Sequence, residues 1–347
     1  MKFPLVSVVI ATYNSGPNFS KVLRSIRNQN YPKSKIEILV IDGNSTDGTI
    51  KIAKKFKCKI LKNPKRDQVY GKFIGYQRAR GKYIMLIDSD EVLVNKDSIK
   101  RKVKVLSENN RVKAIMSSGY IKPLLYPSII DYINEFGDPF SLYMYRSPRN
   151  SNTFIPFFLR KYKALLNDED KAIFDFKGIS NLPFIELTSM AVLVDKNYIK
   201  KNLPSVFISP AEHTHLFYLL NEKGGRFVLM KKDPVVHYSV KSWTDYLRKI
   251  RSRITSNIFY TEMGKAGFRG RESFQVNDYR FKKYLFIVYG LTIIPPIIES
   301  LILSFTRRKT VYLTHAFLTY YTCFLIIFFY TRKLLHINTK IYTYGGK

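Results

Sequence analysis

Asp88 and Asp90 stand one residue apart where an apolar run ends, in the stretch KYIMLIDSDEVL. The chain has a formal net charge of +32, so two carboxylates closing a buried run make a local exception. In a turn after a strand, Asp and Ser serve well as simple caps. At the mouth of a parallel strand, paired carboxylates also suit a hard divalent cation, Mg2+ or Mn2+, that bridges phosphate oxygens. Neither Gly-x-Gly-x-x-Gly nor Gly-x-x-x-x-Gly-Lys-Ser/Thr occurs in the chain. The usual dinucleotide and P-loop sites are therefore excluded, and a metal-held nucleoside diphosphate remains.

Composition bounds the partners. The excess of 58 Lys+Arg over 26 Asp+Glu indicates either an anionic partner or a Lys-rich solvated surface. No nucleic-acid module is recognisable, so nucleic acid is not expected as a partner. The 2 Cys, Cys58 and Cys323, are far apart in unlike surroundings. That argues against a disulfide framework or a zinc site and fits a reducing compartment.

The elements that must position these carboxylates alternate. PLVSVVIATYN reads as a buried strand rather than a secretory leader. NFSKVLRSIRNQ follows, with Phe19, Val22, Leu23 and Ile26 at helical spacing. The strand IEILVIDG, the helix TDGTIKIAKKF, the strand CKILKN and the helix VYGKFIGYQRARG, with Gly81 as its stop, lead into KYIMLID. Apolar strands alternating with helices predict an α/β domain with a mostly parallel sheet covered on both faces. Ligands of such sheets bind beyond the carboxyl ends of the strands. Thr12-Tyr13-Asn14, Asp42-Gly43-Asn44 and Asp88-Ser89-Asp90 all fall at such ends. Further on, ELTSMAVLVD reads as a strand, EHTHLFYLLNEKGG as a helix and RFVLMKKDPVVHYS as a strand.

VSVVIATYNSGPNFSKVLRSIRNQNYP, EILVIDGNSTDGT and GYQRARGKYIMLIDSDE resemble, in order and spacing, the family 2 glycosyltransferases of the GT-A fold. The likeness resumes at AEHTHLFYLLNEKGGRFVLMKKDPVVHYS. It implies an inverting, metal-dependent transfer of a sugar, of hexosyl type, from a nucleoside diphosphate sugar. It also implies roles. Thr12, Tyr13, Asn14, Asp42 and Lys72 would bind the nucleotide. Asp88 would serve ribose and metal, with Asp90 the more direct metal ligand and His237 approaching the metal or diphosphate. Lys241, Arg248, Lys249 and Arg251 would neutralise the leaving diphosphate, or else form a solvated or lipid-facing basic surface. Many relatives carry Glu-Asp where this chain has Glu212-His213, so the general base is one of these two. Alternatively no base is needed, because the acceptor is a polyprenyl phosphate rather than a sugar hydroxyl. A third reading is a non-catalytic membrane scaffold that binds nucleotide.

The tail is apolar. Residues 285–303 and 311–330 are each about 20 residues, or about 30 Å as helix, the thickness of a bilayer core. Pro295-Pro296 and Glu299 leave three options open for the first: to span, to re-enter or to lie in the interface. The expected organisation is a nucleotide-sugar half at 1–115, an acceptor half at 116–250, a basic interfacial linker at 251–284, two membrane segments at 285–330 and a basic tail at 331–347. The expected acceptor is lipid-linked or membrane-associated, and the expected location is the cell membrane with the catalytic domain on the cytoplasmic side.

Overall fold

The structure is a computed structural model that describes residues 3–337 apart from 260–264, 266 and 276. In chain order the first elements are β1 (Val6–Thr12), α1 (Asn18–Arg27), β2 (Ile36–Asp42), α2 (Thr49–Lys55), β3 (Lys59–Lys62) and α3 (Gln68–Arg78). Next come β4 (Tyr83–Leu86), β5 (Glu91–Leu93), α4 (Ser98–Glu108), β6 (Val112–Met116), β7 (Tyr120–Ile121), α5 (Ile129–Phe136) and α6 (Pro139–Tyr145). Then follow α7 (Phe154–Lys161), β8 (Ala164–Asn167), β9 (Lys171–Phe174), β10 (Val192–Asp195), α8 (Lys196–Asn202), α9 (Pro210–Thr214) and α10 (Leu216–Glu222). The last are β11 (Arg226–Met230), β12 (Val235–His237), α11 (Trp243–Phe259), α12 (Phe268–Arg271), α13 (Asn277–Leu291), α14 (Ile294–Arg307) and α15 (His315–Leu334).

Two compact units share the chain. The first comprises Met1–Ile121, Ser151–Ile179 and Ile185–Tyr238, the second Lys122–Asn150, Ser180–Phe184 and Ser239–Lys347. The aromatic segment 122–150 groups with the tail.

The first unit is built on a nine-stranded sheet of order β3-β2-β1-β4-β10-β6-β11-β9-β8. Its first four strands run parallel, as expected, with β1 and β2 fully buried. The remainder is mixed, a correction to the mostly parallel sheet: β10 is antiparallel to both β4 and β6, and β9 is antiparallel to β8 and β11. The three-residue turn between β8 and β9 forces that pair to be a hairpin. Phe19, Val22, Leu23 and Ile26 all lie on the buried face of α1.

RFVLMKKDPVVHYS is two strands rather than one. β11 stays in the large sheet, while β12 joins a second sheet of order β5-β12-β7. The turn between them is pinned by Asp233, which accepts from Ser98 and Ser117 and pairs with the fully buried Lys102 at 3.0 Å. This excursion sets His237 opposite Glu91.

α3 ends at Arg78, so Gly81 is not its stop. A Cβ at Gly81 would lie 2.6 Å from the Ser7 nitrogen, so this glycine lets the chain pass close to β1. Gly71 and Gly75 do the same for α3 itself. A Cβ at Gly71 would meet the Ala11 Cβ at 2.9 Å, and one at Gly75 the Val9 Cγ1 at 2.2 Å.

The second unit is helical. Its core joins Ile129, Tyr132 and Phe136 of α5 to Tyr246 and Ile250 of α11 and to Leu318 and Phe329 of α15. The expected segment 285–303 is broken. α13 and α14 meet at 91°, with the Pro pair seated in the first turn of α14, where missing N–H groups cost nothing. Among the described residues one continuous helical stretch, Thr310–Leu334, is long and apolar enough to cross a membrane.

Candidate active site

Thr12 and Asp42 are register partners at the carboxyl ends of β1 and β2, and the Asp88–Asp90 turn follows β4 beside β1. The three clusters do meet on one rim. The Thr12 hydroxyl lies 2.6 Å from that of Ser15, and the Ser15 hydroxyl donates to Ser89 Oγ at 2.8 Å. Asn14 takes a left-handed backbone, which Asn tolerates, and its side chain accepts from the Thr46 N–H at 2.8 Å. The Asp42 carboxylate accepts from the backbone N–H groups of Asn44 and Ser45, both at 2.9 Å, and from the Ser45 hydroxyl at 2.5 Å. Asp42 thus spends most of its acceptor capacity on its own turn. The ring of Tyr13 stands beside Gly43 and under the guanidinium of Arg66, 5.7 Å from the ring centroid.

The two carboxylates differ. Asp88 is paired with the buried ammonium of Lys72 and accepts from Gln68 Nε2 at 2.8 Å. Asp90 is about a quarter exposed, and its Oδ2 lies 3.7 Å from His237 Nε2. The His237 ring is stacked on Tyr120 at 4.5 Å, which fixes its plane.

Glu91, the next residue, was not anticipated. It is fully buried and accepts from the Tyr120 hydroxyl at 2.5 Å, from the Asp88 N–H at 3.0 Å and from the Met190 N–H. Burial first, and the Asp88 charge second, push its carboxyl up to about 8. It ties the Asp88–Asp90 turn to Met190, which like Ala191 takes a left-handed conformation. The signal in the sequence was its position directly after the pair, with a three-residue strand to hold it. Ser15, Gln68 and Arg66 were missed for another reason: single polar residues in loops and at helix starts carry no spacing signature.

Glu212 and His213 sit on α9. Glu212 is partly exposed. His213 is fully buried, its ring is edge-on to Tyr76 at 4.8 Å, and neither ring nitrogen has a hydrogen-bond partner. Burial, with the Lys72 charge adding to it, pushes its imidazolium down to about 3. A fully buried ring with no hydrogen-bond partner is poorly placed to meet an acceptor, whereas Glu212 is partly exposed. Lys241, Arg248, Lys249 and Arg251 lie in the second unit. There Arg248 pairs with Asp245 at 3.1 Å, Lys249 donates to Ser239 at 2.9 Å and Arg251 lies over the Phe329 ring.

The metal expectation can be tested on these donors. No group of three or more His, Cys, Asp or Glu side chains among the described residues is close enough to hold an ion alone. Asp88 is paired with Lys72. Asp90 and His237 converge, and an oxygen–nitrogen pair completed by phosphate oxygens fits a nucleotide-bound cation.

Residues 7–170 match the family model described as glycosyl transferase family 2. The match takes in the rim from Thr12 to Asp90, while Glu212, His213 and His237 lie beyond it. The chain is 26% identical over 250 residues to the poly(ribitol-phosphate) beta-N-acetylglucosaminyltransferase TarS of Staphylococcus aureus strain Mu50, covering 63% of this chain and 40% of that one. It is 36% identical over 88 residues to a dolichyl N-acetyl-alpha-D-glucosaminyl phosphate 3-beta-D-2,3-diacetamido-2,3-dideoxy-beta-D-glucuronosyltransferase of Methanococcus voltae, covering 23% and 27%. The chain thus spans well under half the length of either relative. The structure of mannosyltransferase PcManGT from Pyrobaculum calidifontis, in complex with GDP-Man and Mn2+, matches with a TM-score of 0.52 at 14% identity, over 97% of this chain and 89% of that one. The fold is GT-A-like α/β with a mixed sheet.

Proposed function

We propose that the chain is a glycosyltransferase that moves a sugar, with inversion, from a nucleoside diphosphate sugar to a hydroxyl of a membrane-associated cell-envelope glycan precursor. The observation that carries the proposal is the single rim on which Tyr13, Asp42, Asp88, Asp90 and His237 gather at strand ends. The family 2 match and relatives named for poly(ribitol phosphate) and a dolichyl phosphate sugar support the substrate class.

Tyr13, backed by Arg66, offers a flat face for the nucleoside, and the Asp42 turn holds the loop that frames it. Asp90 and His237 are the residues that would hold Mn2+ or Mg2+. When bound, the ion supplies positive charge to the diphosphate that leaves. Lys72 neutralises Asp88 and keeps the rim from carrying two bare carboxylates. Glu212 takes the proton of the acceptor hydroxyl as its oxygen bonds to the anomeric carbon and the bond from that carbon to the diphosphate breaks. The half-buried and buried free thiols of Cys58 and Cys323 fit a catalytic domain on the cytoplasmic side of the cell membrane.

The test is a screen of UDP- and GDP-sugars against membrane glycan acceptors, with the anomeric configuration of the product read by NMR. Transfer with inversion is the expected result. A product bearing one sugar on a lipid phosphate would move the acceptor to polyprenyl phosphate. Nucleotide binding without transfer to any acceptor would leave the scaffold reading.

A further inference from the structure

We propose that the apolar helices of the second unit do not cross the bilayer but lie in the plane of one leaflet, against anionic phospholipid. The inference goes beyond sugar transfer and does not depend on it.

α15 is the helix with the length to span, and its neighbours decide its setting. Tyr321 donates to the Leu247 carbonyl at 3.5 Å, the Arg251 guanidinium lies 5.6 Å from the Phe329 ring centroid, and Lys333 donates to the Ile258 carbonyl at 2.6 Å. The contacts advance together along both helices, so α11 and α15 run side by side for about 17 Å. α11 exposes Arg248, Arg251 and Arg253. Charged side chains are costly at mid-bilayer. If α15 spanned, this charged helix would have to enter with it. At the other end of α15, His315 Nδ1 lies 2.7 Å from the Tyr132 hydroxyl of α5. The same short helix supplies Asp131 to Lys309 at 2.7 Å and Glu135 to Arg307 at 2.8 Å.

α14 gives the same answer at its middle. Glu299 accepts from the Tyr289 hydroxyl at 2.6 Å and pairs with Arg146 at 2.9 Å. The Arg146 side chain is 64% exposed, so this level of α14 carries a charge that protein does not cover. The other side is apolar. Ile294, Ile297, Ile298, Leu301, Ile302 and Phe305 are exposed at helical spacing. α13 exposes Tyr284, Leu285, Val288 and Leu291 in the same way, and α15 exposes Phe317, Phe324 and Phe328. Each helix thus hides its polar contacts against protein and shows a stripe of hydrocarbon, the pattern of a helix lying at a membrane surface. The 91° turn between α13 and α14 suits helices that change direction within a plane. Lys282, Arg308, Arg332 and Lys333 lie at the ends of the stripes, which sets the lipid charge: basic groups are attracted to an anionic leaflet.

The test uses the full chain with Cys58→Ser and Cys323→Ala, carrying Thr310→Cys, Leu335→Cys or Phe324→Cys one at a time. All three new positions are exposed. Each protein is added to sealed vesicles of phosphatidylglycerol and phosphatidylcholine, floated, and treated with a membrane-impermeant maleimide. The expected result is flotation, labelling of Thr310→Cys and Leu335→Cys from outside, and protection of Phe324→Cys until detergent is added. The wild-type chain should float with these vesicles and far less with pure phosphatidylcholine. Labelling of the two flanking cysteines from opposite sides, in these vesicles or in oriented cell membranes, would overturn the proposal in favour of a span. Wild-type protein left unfloated as a soluble oligomer would assign the stripes to a second copy of this chain and also overturn it.

Discussion

The first unit covers its apolar core and opens a polar rim, whereas the second leaves stripes of apolar side chains exposed beside an apolar core that also holds Glu299 and His315. In the first, Val6 to Ala11 are buried while Asp90 and Glu212 reach the surface. In the second, Glu299 and His315 are buried while Ile298 and Phe328 are exposed. The same hydrophobic effect acts on both, so the exposed stripes are what the interfacial proposal turns toward lipid.

The largest expected effect breaks the first half of that contrast. Asp90→Ala should abolish transfer while circular dichroism and thermal midpoint stay near wild type, because the residue is in a partly exposed turn. Turnover that survived in the variant would detach the cation from the rim.

Next, Glu212→Gln should lower turnover by roughly 10² to 10⁴, the worth of a general base, with donor affinity little changed. His213→Gln should act mainly on stability, since its ring is packed against Tyr76. Equal losses of turnover in both variants, with folding intact, would return the base assignment to His213.

The second half of the contrast is tested by Ile298→Asp with Ile302→Asp. These side chains are 50% and 55% exposed, so thermal stability in solution should move by about 0.5 kcal/mol or less per site. Flotation with anionic vesicles should be much reduced. Unchanged flotation would show that α14 does not meet lipid.

The smallest effect is a pH dependence. The imidazole of His213 is neutral in the folded chain down to about 3, but protonates near 6.5 when unfolded. Below 6.5 the unfolded state binds the extra proton, so stability falls as pH drops from 6.5 toward 3. The slope from this group is at most about 1.4 kcal/mol per pH unit. Urea midpoints measured from pH 7 to pH 4.5 should fall less steeply for His213→Phe than for wild type. Parallel curves would show that His213 is not buried as a neutral ring.

Much of the rim was legible because its parts are local. A buried strand followed by Thr-Tyr-Asn or Asp-Ser-Asp announces its end within a few residues, and α1 shows its buried face by spacing alone. The division of labour between Asp88 and Asp90 was not legible. It depends on Lys72, which arrives from a helix earlier in the chain, and on His237, which arrives through a strand that leaves the main sheet. The burial of His213 was hidden for a like reason: its neighbour Tyr76 lies on α3, far away in sequence. The second unit was the least legible. Its core joins 122–150 to helices more than a hundred residues later, and no periodicity records which distant stripe a helix will meet. The Pro pair did mark the break between α13 and α14, since its chemistry is local.

The glycine pair of α3 couples packing height to charge placement. Gly71 and Gly75 let that helix rest directly on β1, and Lys72, which follows Gly71, reaches Asp88 from there. The thickness of one missing methyl group therefore acts as a spacer setting. Add a methyl at Gly75 and the helix must lift, carrying the ammonium away from its carboxylate although neither charged residue has changed. Asp88 would then stand with one counter-charge fewer, beside the buried Glu91. The electrostatic balance of the rim is adjusted from underneath, by how closely two backbones approach.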